Sequence, residues 1–251
     1  MQVTKHANGR FCWAELSTSD GPAAKAFYSA LMGWESVDNP MGPDMVYTML
    51  KLNGKTAAAL YQDNSGEAPP HWQTYISVDD VDTSAARAKE LGGTILEGPF
   101  DVMEHGRMAV VQDPTGAIFS MWQPKEHIGY TVVNEPGAVC WNELSTRDTK
   151  AAASFYTGLF GYGAKESLMP MPYTEFQQDG KSIAGMMAMT PHMEGVPPHW
   201  TIYFTVANCE ETFAKATELG AKPIVPPMAI PDVGTMAIMQ DPQGAVFAVV
   251  G

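Results

Sequence analysis

Two short strings hold the residue types from which chemistry could be built. Residues 11–18 read FCWAELST and contain nothing that breaks a strand. Alternation along that strand puts Trp13, Glu15 and Ser17 on one face. Residues 69–78 read PPHWQTYISV, and the same alternation groups His71, Gln73 and Tyr75. A carboxylate and an imidazole among aromatic rings could work as base and acid, because burial raises a carboxyl pKa toward the useful range. The same set could anchor a small apolar or planar ligand between aromatic walls. It could also be a structural pair, since a buried carboxylate is costly unless something satisfies it. On the residues alone the three readings stay open.

Both strings occur twice, 128 residues apart. Residues 11–34 return as 139–162 with 13 of 24 positions identical, PPHWQTYISV returns as PPHWTIYFTV (197–206), and MAVVQDPTGAIF (108–119) returns as MAIMQDPQGAVF (236–247). A repeat of this length is a duplicated domain rather than a solenoid unit of about 20–50 residues. The second copy therefore supplies its own set: Trp141, Glu143 and Ser145 on one strand, His199, Thr201 and Tyr203 on the other. The expected domains are 8–124 and 137–251, joined by 125–137.

The elements that must position these residues read as two halves per copy. Asp20 caps a helix that Gly33 ends, with Ala23, Ala24, Phe27, Tyr28 and Leu31 as its apolar face. Strands fit 34–38, 46–52 and 55–62, with Asn53-Gly54 as a hairpin turn. After the strand at 72–78, Asp80 caps a second helix ending at Leu91-Gly92, and strands fit 94–97, 107–112 and 117–122. Each half is strand–helix–strand–strand–strand, so the fold class is α+β with four βαβββ units in series. Asp148 and Asn208 are the caps of the second copy.

The βαβββ units resemble the vicinal oxygen chelate superfamily, the family of glyoxalases, bleomycin-resistance proteins and extradiol dioxygenases. The helix end carries the resemblance in Phe27, Tyr28, Leu31 and Gly33 and again in Phe155, Tyr156, Leu159 and Gly161, as do the Asp-Pro-x-Gly turns at 113–116 and 241–244. Pro-Pro-His-Trp at 69–72 and 197–200 brings it near the tandem glyoxalase-like proteins. The resemblance implies two curled sheets, each a half-open cup with a site inside, built from adjacent units or by exchange between copies. It also implies where metal-dependent members hold a divalent ion. Those positions fall on Trp13, Gln73 and Ser120 in copy one and on Trp141, Thr201 and Ala248 in copy two. Indole offers no lone pair through its N–H, an amide is a weak ligand, and alanine offers nothing. No metal and no other cofactor is therefore expected.

The catalytic candidates are Glu15, His71, Glu143 and His199. The candidates for ligand contact are Trp13, Gln73, Tyr75, Ser120, Trp122, Trp141, Thr201 and Tyr203. His105 reads as a solvated loop histidine, and His6, His127 and His192 as terminal, linker and loop residues. Cys12 and Cys140 fall one residue off the inner face, against a helix. Met186, Met187 and Met189 lie on the strand and loop that wall the second cup, where plain core packing is a stronger reading than ligand contact. The expected function is binding or conversion of a small organic molecule without the family metal, by a lyase- or hydroxylase-type enzyme. The alternative is a sequestering protein of the bleomycin-resistance type. Copy one keeps more polar groups on the inner face and is the better candidate.

Composition bounds the partners. A net charge of −13 over 251 residues leaves no basic face for nucleic acid. No apolar run approaches the roughly 18 residues a membrane helix needs, and the first residues do not read as a secretion signal. Three cysteines without metal spacing read as reduced thiols. The expectation is a cytoplasmic monomer or homodimer whose partner is a small molecule.

Overall fold

The computed structural model describes all residues except 43, 44 and 169–171, and the side chain of residue 168 is likewise left aside. Copy one runs β1 (Phe11–Thr18), α1 (Gly21–Met32), β2 (Glu35–Pro40), β3 (Val46–Leu52), β4 (Lys55–Gln62), β5 (His71–Ser77), α2 (Val81–Glu90), β6 (Thr94–Val102), β7 (Gly106–Gln112) and β8 (Ile118–Pro124). Copy two repeats the order with β9 (Val139–Thr146), α3 (Thr149–Phe160), β10 (Gly163–Leu168), β11 (Pro172–Gln178) and β12 (Lys181–Ala188). It ends with β13 (His199–Thr205), α4 (Cys209–Glu218), β14 (Lys222–Ile230), β15 (Gly234–Gln240) and β16 (Val246–Val250).

The helix starts are as the caps require. Asp20, Asp80, Asp148 and Asn208 each accept a backbone N–H three residues on, and Gly33 and Gly161 close α1 and α3 in the left-handed region. The sixth strand is longer than expected, because Gly98-Pro99 reads as a break. At the edge of the sheet β6 pairs only with β7, through two register shifts, so a proline without an N–H is tolerated there.

Each copy forms its own eight-stranded sheet, in the order β2-β3-β4-β1-β5-β8-β7-β6 and its equivalent β10-β11-β12-β9-β13-β16-β15-β14. The two units of one copy meet at the antiparallel β1–β5 pair, which sets Glu15 opposite Gln73 and Trp13 opposite Tyr75. The β9–β13 pair does the same for Glu143 with Thr201 and Trp141 with Tyr203. The cups are therefore built from adjacent units.

The cores are shared between the copies. The α1 side chains Phe27 and Tyr28 pack on Phe204 and Phe247 of copy two's second unit, while Phe155 and Tyr156 of α3 pack on Phe119 of copy one's second unit. Each such aromatic side chain contributes roughly 1.5–3 kcal/mol on burial. Polar ties run the same way. Tyr28 donates to Asp241 and Tyr156 to Asp113, both at 2.9 Å, and Thr74 donates to Asn142 at 2.7 Å. Met186 packs in one of these cores, as the stronger reading of it expects, because its pairing with Leu144 puts it on the outer face; Met187, paired with Ser145, is on the inner one. Cys12 is buried in the other core, and burial pushes its thiol well up, so it is a packing residue.

Candidate functional site

In the first cup a carboxylate is held between two phenols. Glu15 Oε1 accepts from the Tyr75 hydroxyl at 2.8 Å and Oε2 from the Tyr47 hydroxyl at 2.5 Å, while the Trp13 indole N–H donates to Tyr47 at 3.1 Å. The second cup repeats the chain. Glu143 accepts from Tyr203 and Tyr173 at 2.8 Å each, and Trp141 donates to Tyr173 at 3.0 Å. Sequence reading missed Tyr47 and Tyr173. The β2–β3 connection is two residues shorter in copy two, so these tyrosines are 126 residues apart and disappear from a comparison made at 128. The signal was present: Tyr47-Thr48 and Tyr173-Thr174 stand at the same distance before the turns at Asn53-Gly54 and Asp179-Gly180.

Burial raises the Glu15 carboxyl above its ordinary 4.5, against the pull of the two phenols and of the charge on His71. Glu143 is raised for the same reason. A carboxyl raised in the folded state holds its proton more tightly there than in the unfolded chain. Its stability contribution is complete below the ordinary value and fades as pH climbs through the raised one. The double variant Glu15→Gln/Glu143→Gln should thus lose less stability than the wild type as pH climbs above the ordinary carboxyl value. Urea midpoints across that range check this; equal slopes for the two proteins would contradict it.

The histidines expected beside these carboxylates are placed elsewhere. His71 and His199 are the first residues of β5 and β13, and each turns Nδ1 back to the carbonyl two residues before it, Pro69 or Pro197, at 2.9 Å. The hydrogen-bond partners of Glu15 and Glu143 are tyrosines because cross-strand pairing sets each histidine opposite a serine, Ser17 or Ser145, one step further along the face. Gln73 is tied to Ser120, Nε2 to Oγ at 3.1 Å. Thr201 is buried beside Glu143, and Trp122 donates its indole N–H to the His127 carbonyl at 2.8 Å.

A cavity of about 310 Å³ opens in this cup. Trp13, Glu15, Tyr47, Tyr75 and Trp122 form one side, and Asn39, Met41, Met49, Val102 and Met108 form the rest with His105 and His127. The two histidines were read from sequence as loop and linker residues. Linker 125–137 instead lies along the first cup: the backbone N–H of Tyr130 donates to the Cys12 carbonyl at 2.8 Å, and that of His127 to the His105 carbonyl at 3.1 Å. The second cup is drawn tighter. Gly185 faces Glu143 where Ala59 faces Glu15, and a Cβ on Gly185 would come within 1.7 Å of the Tyr173 hydroxyl. A separate space of about 370 Å³ lies between the first ten residues and β9, beside Cys140.

The sequence model of the "Glyoxalase/Bleomycin resistance protein/Dioxygenase superfamily" matches residues 10–121 and 127–249. The chain belongs to this superfamily. Among its relatives, "Putative glyoxylase CFP32" of Mycobacterium tuberculosis is 40% identical over 252 residues, covering 98% of this chain and 96% of that protein. "Anthracycline biosynthesis protein DnrV" of Streptomyces peucetius is 32% identical over 266 residues, covering 99% and 95%. Two solved structures share the fold. The Mn(II)-bound glyoxalase of Novosphingobium aromaticivorans has a TM-score of 0.66 at 14% identity, covering 96% of this chain and 81% of that one. The 2,3-dioxygenase LapB of Pseudomonas sp. KL28 has 0.67 at 13%, covering 98% and 93%.

The superfamily's divalent ion does not fit the donors present here. Trp13 presents an N–H already given to Tyr47, the Gln73 amide is tied to Ser120, and Ala248 has no donor atom. Among the described residues no three His, Cys, Asp or Glu side chains gather as a metal site. Among them, too, no helix is long and apolar enough to cross a membrane.

Proposed function

We propose that the first cup binds a small organic molecule and moves a proton on it without a divalent ion, with Glu15 as the proton acceptor. The observation that carries this is a carboxyl that lines an aromatic- and methionine-walled cavity and is held in place by two phenols. The volume lies at the lower end of the range for small-molecule sites. Burial brings the carboxyl closer to the pH at which a general base is most effective. Two phenolic O–H groups fix its orientation within the cavity it lines. The relatives' names, a glyoxylase and a protein of anthracycline biosynthesis, agree with small-molecule chemistry.

The alternative is stoichiometric binding without turnover. The engagement of both carboxylate oxygens by phenols, repeated in the second cup, favours it. The ketone 2-tetralone separates the two. It is flat, uncharged and mostly apolar, and it has exchangeable protons next to its carbonyl. The acid–base reading predicts that the protein accelerates deuterium uptake at that carbon, followed by NMR. Glu15→Gln should lose about 100-fold or more of the acceleration while holding the ketone nearly as well. Saturable binding with no acceleration in the wild type would establish the sequestering reading instead.

A further inference from the structure

Among the described residues, one buried side-chain polar atom of the first cup has no hydrogen-bond partner. His127 Nε2 is buried and has no hydrogen-bond partner. A buried donor or acceptor left unpaired costs about 1–3 kcal/mol, and such atoms in a native structure want an explanation. Here the ring lines the cavity that also holds Glu15. Its plane is fixed by the Trp13 indole, with ring centroids 4.6 Å apart at 87°, and by Trp122 at 6.0 Å. Its backbone is fixed too, through the His127 N–H to His105 and through its carbonyl, which accepts from Trp122. The imidazole is therefore oriented before any ligand arrives.

The residue comes from the linker between the two copies, outside the repeated blocks. The two cups share the Trp–Tyr–Glu–Tyr chain, and among the described residues the unpaired imidazole nitrogen belongs to the first. Burial and the neighbouring His105 and His6 push the His127 ring down to about 4, which keeps it uncharged at neutral pH. Neither lysine nor arginine is among the residues lining the cavity. Among the described lining residues, an anionic ligand would meet a carboxyl and neither lysine nor arginine.

We propose that His127 Nε2–H is the group that receives the oxygen of the ligand, and that the first cup selects an uncharged, flat molecule with a carbonyl or similar acceptor oxygen. This rests on the first cup's being a ligand site and adds which atom holds the ligand and which charge it excludes. The imidazole would donate to the oxygen while the apolar body fills the space between Trp13, Trp122 and Met108. The linker thereby completes the first cup.

Tryptophan fluorescence titrations with three probes of equal skeleton test it: 2-tetralone, tetralin, which lacks the oxygen, and 1,2,3,4-tetrahydro-2-naphthoate, which is charged. The wild type should prefer the ketone over tetralin by about tenfold, the size of one net hydrogen bond. The carboxylate should bind about tenfold or more weaker than the ketone. His127→Phe should erase the preference while leaving tetralin affinity within about twofold. His127→Gln, whose Nε2–H reaches toward the same place, should retain most of it. A preference unchanged in His127→Phe overturns the role of His127 and leaves the cup a binding site. Loss of preference in the glutamine variant as complete as in the phenylalanine one also overturns a donor role. A carboxylate that binds as well as the ketone overturns the charge selection. No saturable binding of any probe to the wild type would overturn this inference together with the ligand site it rests on.

Discussion

Replacing Asp241 by alanine is expected to destabilise the whole chain by about 3–5 kcal/mol, lowering Tm by roughly 10 °C. Asp241 is 1% exposed. Its Oδ1 accepts the backbone N–H groups of Gln243, Gly244 and Ala245 at 3.0, 2.8 and 2.9 Å, and its Oδ2 accepts the hydroxyl of Tyr28, which itself accepts from Trp72. Alanine would leave the turn before β16 unpinned and a phenol of the other copy unpaired in a core. Each loss is of the size that follows from orphaning a buried donor. Asp113 holds Tyr156 and the turn before β8 in the same way. Because α1 packs on copy two and α3 on copy one, both copies should unfold in one transition, and Asp241→Ala should move that transition as a unit. Calorimetry checks both points. A variant whose first copy melts where the wild type does, while the second melts early, would contradict the shared cores.

The second large effect is expected at Gly129. It sits at φ 105°, and a Cβ there would lie 1.9 Å from the carbonyl oxygen of Cys12 and 2.8 Å from its carbon. Neither atom can retreat, since both belong to the backbone of the central strand β1. Gly129→Ala combines an unfavourable backbone conformation with a backbone clash, together about 3 kcal/mol or more unless the linker lifts away. If the linker lifts, it takes Tyr130 off the Cys12 carbonyl and moves His127 out of the first cup. Hydrogen exchange should then show lost protection at the Tyr130 N–H, with the second cup unaffected. A variant within about 0.5 kcal/mol of the wild type and equally protected would refute the close seating of the linker.

The repeat made the fold legible. The helix caps, the hairpin turns and the two Asp-Pro-x-Gly turns are local signals, and the structure forms an element at each. Alternation along 11–18 and 71–77 grouped Trp13, Glu15, Gln73 and Tyr75 correctly on one face, because a strand's period leaves no other choice. Tyr47 was hidden by a two-residue change in a connection, and His127 by lying in the linker, outside the repeated blocks. Which copy's tyrosine meets which copy's aspartate was beyond reach for a different reason. Tyr28 and Tyr156 are equivalent, as are Asp113 and Asp241, so within-copy and between-copy pairing leave the same pattern in the sequence. That choice is made by how the two sheets pack.

The first cup is expected to take an uncharged organic ligand without the help of a divalent ion. The most direct test is a fluorescence titration of the protein with 2-tetralone, before and after exhaustive treatment with a chelator. One saturating site of unchanged affinity is predicted in both. Binding that disappears on chelation and returns with manganese, zinc, nickel or iron would contradict the claim.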